Sequence, residues 1–197
     1  MDLNKEPSPI VNIEGQLVSL GPLDKAMLPL FQRWMNDFAV QARIGIQLPA
    51  PFTIEVEEKW YESVSTGNDR HTFAISERAT GNVIGSVGLH KVEPRSGSAT
   101  FGIMIGEPAA RGKGYGTETA TLMLDYAFTI LGLHSVNLTV AGFNHAGQAA
   151  YRKAGFRECG RLREHIRFAG KWWDQIQMDC LAHEFDSPVL ARIIDPG

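Results

Sequence analysis

Residues 111–117 read RGKGYGT, three glycines at alternate positions with Arg111 and Lys113 among them. Glycines this dense let main-chain N–H groups approach an anion with no Cβ in the way. The arginine adds a forked positive group and the lysine a point charge. The stretch follows an apolar run, SATFGIMIG (98–106). It precedes a segment in which Ala120, Met123, Leu124, Ala127 and Leu131 recur at helical spacing. A helix N-terminus carries roughly half a positive charge. The N–H groups of Gly112, Lys113, Gly114, Tyr115, Gly116 and Thr117 are therefore expected to point into one concavity that suits phosphate. A plain glycine-rich turn capping a helix would use the same residues.

Two familiar phosphate loops do not fit. A Walker A loop needs G-x-x-x-x-G-K-[ST], but Glu107 stands five residues before Gly112 and Gly114 follows Lys113. A dinucleotide fingerprint needs G-x-G-x-x-G after a strand that opens a βαβ unit. Here the spacing is G-x-G-x-G, and the preceding strand closes a run of three. Downstream, residues 144–156 read NHAGQAAYRKAGF. Together the two stretches resemble the GNAT superfamily of N-acetyltransferases. Its coenzyme A signature, [RQ]-x-x-G-x-[GA], is matched by Arg111, Gly114 and Gly116, and its second signature by Asn144, Tyr151, Gly155 and Phe156. The resemblance covers roughly 16–185. The PAPFT, IGSVGL and KWWDQIQM stretches look like the subgroup containing ribosomal-protein N-terminal and spermidine acetyltransferases.

The resemblance implies that acetyl-CoA lies in a V-shaped splay between the fourth and fifth strands, here SATFGIMIG and SVNLTVA. Met104 and Ile105 would supply main-chain contacts to the pantetheine arm and the acetyl carbonyl, and Asn144 would contact the cofactor from a helix N-cap. Tyr151 would serve as general acid for the departing thiolate, its ordinary pKa of about 10 keeping it protonated at neutral pH. The nucleophile is then an amine, and it must be neutral to attack. A lysine-like amine is only about 0.04% neutral at pH 7, an α-amine about 14%. Relatives often carry a glutamate base on the fourth or fifth strand, where this chain has Thr100 and Thr139. His90 and Glu107 are the remaining candidates. Three acceptors stay open: a protein N-terminus, a polyamine, or an amine-bearing antibiotic. A non-catalytic acyl-CoA sensor, or a transferase using another acyl donor, is the alternative.

These groups need a scaffold. Gln16–Leu20 reads as a strand ended by Gly21-Pro22. Asp24 caps a helix expected to run to Asn36, and Thr53 caps another carrying Glu55, Glu57, Glu58, Trp60 and Tyr61. On both helices the acids and aromatics, Trp34 included, either hold a cationic amine or, as first-turn acids, complement the dipole while facing water. Residues 71–77, 82–92 and 98–106 read as an antiparallel meander. A helix closed by Gly132, a strand at 135–141 and a helix from Asn144 ended by Gly155 follow. A hairpin of 156–167 and 172–184 turns at 168–170. The expected fold class is α/β, a single GNAT-type domain over 1–197 with its core at 16–185 and a peripheral tail at 186–197. It has a mixed, mostly antiparallel sheet of about seven strands and about four helices.

Composition narrows the partners. At 44% hydrophobic and 21% charged, 197 residues suit one globular domain that needs no staple. A net charge of −3 argues against nucleic acid. Two cysteines, Cys159 and Cys180, and six unclustered histidines predict neither a disulfide framework nor a metal site. With no secretory or membrane-spanning run in sight, the expectation is a cytoplasmic protein with no membrane partner. The apolar closing strands leave a homodimer open.

Overall fold

The computed structural model describes residues 10–45, 51–66 and 70–194. Eight strands form one sheet: β1 (Ile13–Glu14), β2 (Val18–Pro22), β3 (His71–Glu77), β4 (Val83–Glu93), β5 (Ser98–Ile105), β6 (Ser135–Ala141), β7 (Arg157–Phe168) and β8 (Lys171–Leu181). Their order is β1-β2-β3-β4-β5-β6-β8-β7, antiparallel throughout except for β5–β6. The strand beyond the seven expected is the two-residue β1. The carboxylate of Glu118 pins the turn after it, receiving the N–H groups of Gln16, Leu17 and Val18 at 2.8, 2.7 and 2.8 Å.

Helices cover both faces. On one lie α1 (Leu28–Met35), α2 (Phe38–Ile44) and α3 (Ile54–Thr66), around a small core of Leu28, Phe31, Trp34, Val40 and Met104. The single helix expected over 24–36 is divided. Asp24 caps only a 3-10 turn, Lys25–Met27, and Asp37 then caps α2, a helix the sequence reading did not find. Its signal is weak, because seven residues with Phe38 and Ala39 outward give little periodicity. The Pro-rich loop at 48–52 falls partly outside the described residues.

On the other face lie α4 (Tyr115–Asp125) and α5 (His145–Ala154). Ala120, Met123, Leu124 and Ala127 are fully buried against β2–β6; each large side chain withdrawn from water contributes roughly 1.5–3 kcal/mol. After Asp125 the helix widens into a π turn, Tyr126–Ile130, with Leu131 N–H donating to the Tyr126 carbonyl at 3.1 Å. Asp125, fully buried, accepts from the Ser187 hydroxyl at 2.5 Å and from the N–H groups of Val189 and Leu190 at 3.0 and 2.9 Å. The segment expected as a peripheral tail is thereby docked at its start, with Leu190 in the core. No helix among the described residues is long and apolar enough to cross a membrane.

Alternation along β5 decides what meets what. Phe101, Ile103 and Ile105 side with the α4–α5 core, and Met104 with the α1–α3 core. One strand thus forms a wall shared by two chambers.

Candidate functional site

The glycine loop turns the chain from the end of β5 into α4. Gly112 and Gly114 have φ of 75° and 88°, left-handed values that favour glycine, and Gly114 is the N-cap of α4. The loop and the N-terminal turn of α5 line a cavity of about 310 Å³, where Arg111, Gly114, Gly116 and Thr117 face Asn144 and Tyr151. Arg111 donates to the Gly106 carbonyl at 3.3 Å, while its Nε is buried with no partner. Burial first, then the neighbouring Arg43 charge, pushes this guanidinium down from its ordinary value. A half-buried cation with a buried, idle donor and a second cation beside it is an arrangement that an anion would relieve. Of the residues expected to donate, Thr117 uses its N–H to close the first turn onto the Gly114 carbonyl at 3.0 Å. Lys113 lines a different pocket, 4.0 Å from Glu77, and Glu77 also accepts the Tyr115 hydroxyl.

Asn144 caps α5 as expected, accepting from Gly147 N–H at 3.0 Å. Its side-chain amide also donates to the Arg43 carbonyl at 3.1 Å, tying the end of α2 to the start of α5 across the cleft. Tyr151 stands edge-on to Phe101 and Phe156, with ring centroids 5.9 and 6.1 Å away. Burial pushes its hydroxyl up to about 12.

Strands β5 and β6 pair only from Ser98/Ser135 to Thr100/Asn137 and then part, giving the expected splay. A cavity of about 450 Å³ fills the gap, with Tyr151 and Ile103 on its wall. Gly106 N–H donates to Ile84 on the β4 side at 2.9 Å, whereas the Asn137 side chain donates to Ala99 on the β6 side at 3.0 Å. Backbone direction alternates along a strand. Phe101, Ile103 and Ile105 therefore turn their N–H and C=O groups into the gap. Met104 turns its own toward β4, where its carbonyl oxygen would stand 1.9 Å from a Cβ at Gly85. Of the two expected main-chain contacts, Ile105 faces the gap and Met104 does not. Ile103, which the sequence reading did not single out, lines this cavity, the 310 Å³ one and the next.

The third cavity, about 580 Å³, lies beneath α1 and α3, with Phe31, Trp60, Glu57, His90 and Met104 on its wall. His90 and Gly102 line both this cavity and the splay. The His90 ring lies over Gly102, where a Cβ would come within 2.7 Å of Cε1. A register shift between His90 and Glu93, with Lys91 at a φ of 51°, bends β4 here and aims the histidine. Glu107 is not brought to this junction: it pairs with Arg33 at 2.6 Å and lines the same separate pocket as Lys113.

The acid that does reach the chamber is Glu57. It is 4% exposed, and burial pushes its carboxyl from the ordinary 4.5 to about 7. Of the two readings of the α3 acids, the water-facing one suits Glu55 and Glu58 but not Glu57, because Ile54, Glu57, Trp60/Tyr61 and Val64 share one face of α3. Among the described residues no group of three or more His, Cys, Asp or Glu is placed to hold a metal ion.

A family model described as an acetyltransferase (GNAT) domain matches residues 18–157. The spermidine N(1)-acetyltransferase of Vibrio cholerae is 34% identical over 131 residues, 66% of this chain and 74% of the relative. The enzyme of the same name from Escherichia coli K12 is 27% identical over 180 residues, 91% and 92% of the two chains. The crystal structure of the Vibrio cholerae spermidine N-acetyltransferase in complex with CoA and spermine superposes with a TM-score of 0.77 at 28% identity, covering 85% of this chain and 97% of that one.

Proposed function

The chain belongs to the GNAT acetyltransferase family, and from that premise we propose that it moves an acetyl group from acetyl-CoA to a primary amine by direct attack in a ternary complex. One observation carries this reading: the phosphate-binding cavity and the α1–α3 chamber each open on the same splay, the first past Tyr151 and the second past His90, with Ile103 in all three walls. The buried, unpartnered Nε of Arg111 and the open space beside Gly112 and Gly116 fit the cofactor's diphosphate. The gap-facing main chain of Ile103 and Ile105 takes up the pantetheine arm as a short pseudo-strand and polarises the acetyl carbonyl.

The amine enters from the chamber. His90 or Glu57 takes up its proton, the former beside the splay and the latter half-ionised near neutral pH. The nitrogen lone pair attacks the thioester carbon, the carbon–sulfur bond breaks, and Tyr151 donates to the departing sulfur. A phenol near 12 does not surrender its proton outright to a thiolate near 8.5. It donates a hydrogen bond while charge builds on sulfur and keeps its own proton; the one proton lost by the amine passes from His90 or Glu57 to solvent and balances the departing thiolate. Mixing the protein with acetyl-CoA and a panel of amines should release free thiol at a rate that depends on the amine. Tight cofactor binding with no release by any amine would favour a sensor instead.

Glu57 adds a pH signature with a definite sign. Because folding raises its pKa from 4.5 to about 7, the native state holds more protons than the unfolded chain between those values. The stabilisation from the neutral carboxyl is complete below the lower value and is lost as pH climbs through the upper one. Glu57→Gln cannot ionise. Its melting temperature should exceed that of the wild type by a margin that widens across this window and then levels off. A margin independent of pH would show that Glu57 titrates normally.

A further inference from the structure

The charge around the chamber is lopsided. Among the described residues lining the three cavities Glu57 is the single acid, against Arg43, Arg70, Lys91, Arg111, Lys153 and Arg167. These cations divide by place. Arg111 and Lys153 line only the phosphate-binding cavity, and Arg43 lines that cavity and the splay. Cofactor phosphates account for these three. Arg70 and Lys91 line only the α1–α3 chamber, and Arg167, which has an interaction of its own, lines only the splay. The chamber is also polarised by depth. Glu57 is buried in its wall, whereas Arg70, at the start of β3, and Lys91, at the end of β4, are exposed at its rim.

A polyamine fits this pattern poorly. One of its ammonium groups meets Glu57, but the remaining charges must pass Arg70 and Lys91 on the same cavity wall, and like charges repel. The relatives named for spermidine act, by their names, on a polycation. We infer that the acceptor of this chain is an α-amine flanked by carboxylates, inserted amine-first toward Glu57 and His90 with its acidic groups held at the rim by Arg70 and Lys91. The inference rests on the transferase reading above. Volume agrees: about 580 Å³ admits one or two amino-acid residues, and the chamber's exposed rim leaves room for a chain to continue outward. An acidic amino acid and an acidic peptide terminus present the same chemistry here.

Thiol release from acetyl-CoA should be followed with four acceptors: the peptides Asp-Asp-Ala-Ala and Asn-Asn-Ala-Ala, free aspartate, and spermidine. At low salt the acidic peptide should exceed the neutral one in kcat/KM by about tenfold, the scale of two exposed ion pairs. Spermidine should fall below both, and raising the salt should narrow the gap. The double variant Arg70→Gln/Lys91→Asn should bring the acidic-to-neutral ratio toward one without moving the Kd for coenzyme A; asparagine suits the left-handed backbone at Lys91. Free aspartate against peptide tells a small acceptor from a chain end. Spermidine equal to or better than the acidic peptide, or a ratio indifferent to the double variant, overturns the inference and leaves the transferase reading standing. Thiol release with none of the four, nor with any amine of a wider panel, brings down the transferase reading itself and this inference with it.

Discussion

Tyr151→Phe should lower kcat by about 10² to 10³-fold with every acceptor, while the Kd for acetyl-CoA and the melting temperature stay close to wild type. The substitution keeps the ring and its edge-on contacts with Phe101 and Phe156, so packing is preserved and only the hydroxyl is lost. Among the described residues none hydrogen-bonds to that hydroxyl, and a hydroxyl without a protein partner contributes little to stability. The drop should also be uniform in pH. With its proton held up to about 12, Tyr151 is a donor throughout the assayable range, so its removal lowers the profile without shifting it. Single-turnover kinetics would place the loss in the chemical step. An unchanged kcat would remove Tyr151 from the mechanism and leave sulfur to depart with a proton from water.

The position of that hydroxyl follows from how β5 is used. The side chains of Phe101, Ile103 and Ile105 belong to the α4–α5 core that supports the glycine loop, while Met104 belongs to the α1–α3 core over the chamber. In the proposed reaction the two substrates therefore approach opposite faces of one strand. They meet only where its free edge is exposed, between the last β5–β6 pair at Thr100/Asn137 and the end of the strand. A parallel pair that stops after three residues leaves main-chain donors that a closed sheet would consume. The splay is at once the site's floor and the reason it contains polar groups at all.

Local signals made the cofactor side legible in the sequence. An asparagine cap and a closing glycine each state their backbone demand within a few residues, and Asn144 and Gly155 both sit as read. The three-stranded meander and the closing hairpin were equally local, set by alternation and turn residues. What escaped depended on contacts between distant segments. Nothing near Glu107 announces Arg33, 74 positions away, as its partner. The fate of Glu57 depends on which face of α3 meets the sheet, and first-turn acids usually face water. Trp172 and Trp173, consecutive along β8, part likewise: Trp172 is 59% exposed, whereas Trp173 packs on Phe143. The outer strand β7 exposes Arg157, Arg161 and Arg163 along a free edge, a charged character that opposes edge-to-edge pairing and that the expectation of apolar closing strands did not foresee.

Gly116→Val should weaken acetyl-CoA binding by about 100-fold, the equivalent of two lost charge-assisted hydrogen bonds, without lowering the melting temperature. Gly116 is the second residue of α4 and, unlike Gly112 and Gly114, has no left-handed φ. A Cβ there would meet nothing within 4 Å. The unliganded fold thus has no need of glycine at this position, and glycine within a helix costs roughly 0.5–1 kcal/mol relative to alanine. Gly116→Ala should accordingly raise the melting temperature by about 1–4 °C and weaken the cofactor less than valine does. The space that is empty of protein atoms is the space the diphosphate would take in the proposed complex, since Gly116 and Asn144 line one cavity. Gly114→Val is the contrasting case: its φ of 88° forces backbone strain, so stability and affinity should fall together. Calorimetric titration of coenzyme A into each variant, beside thermal melts, separates the two costs. If Gly116→Val binds the cofactor as the wild type does, the glycines at the mouth of α4 only turn the chain, and the cradle must be sought elsewhere.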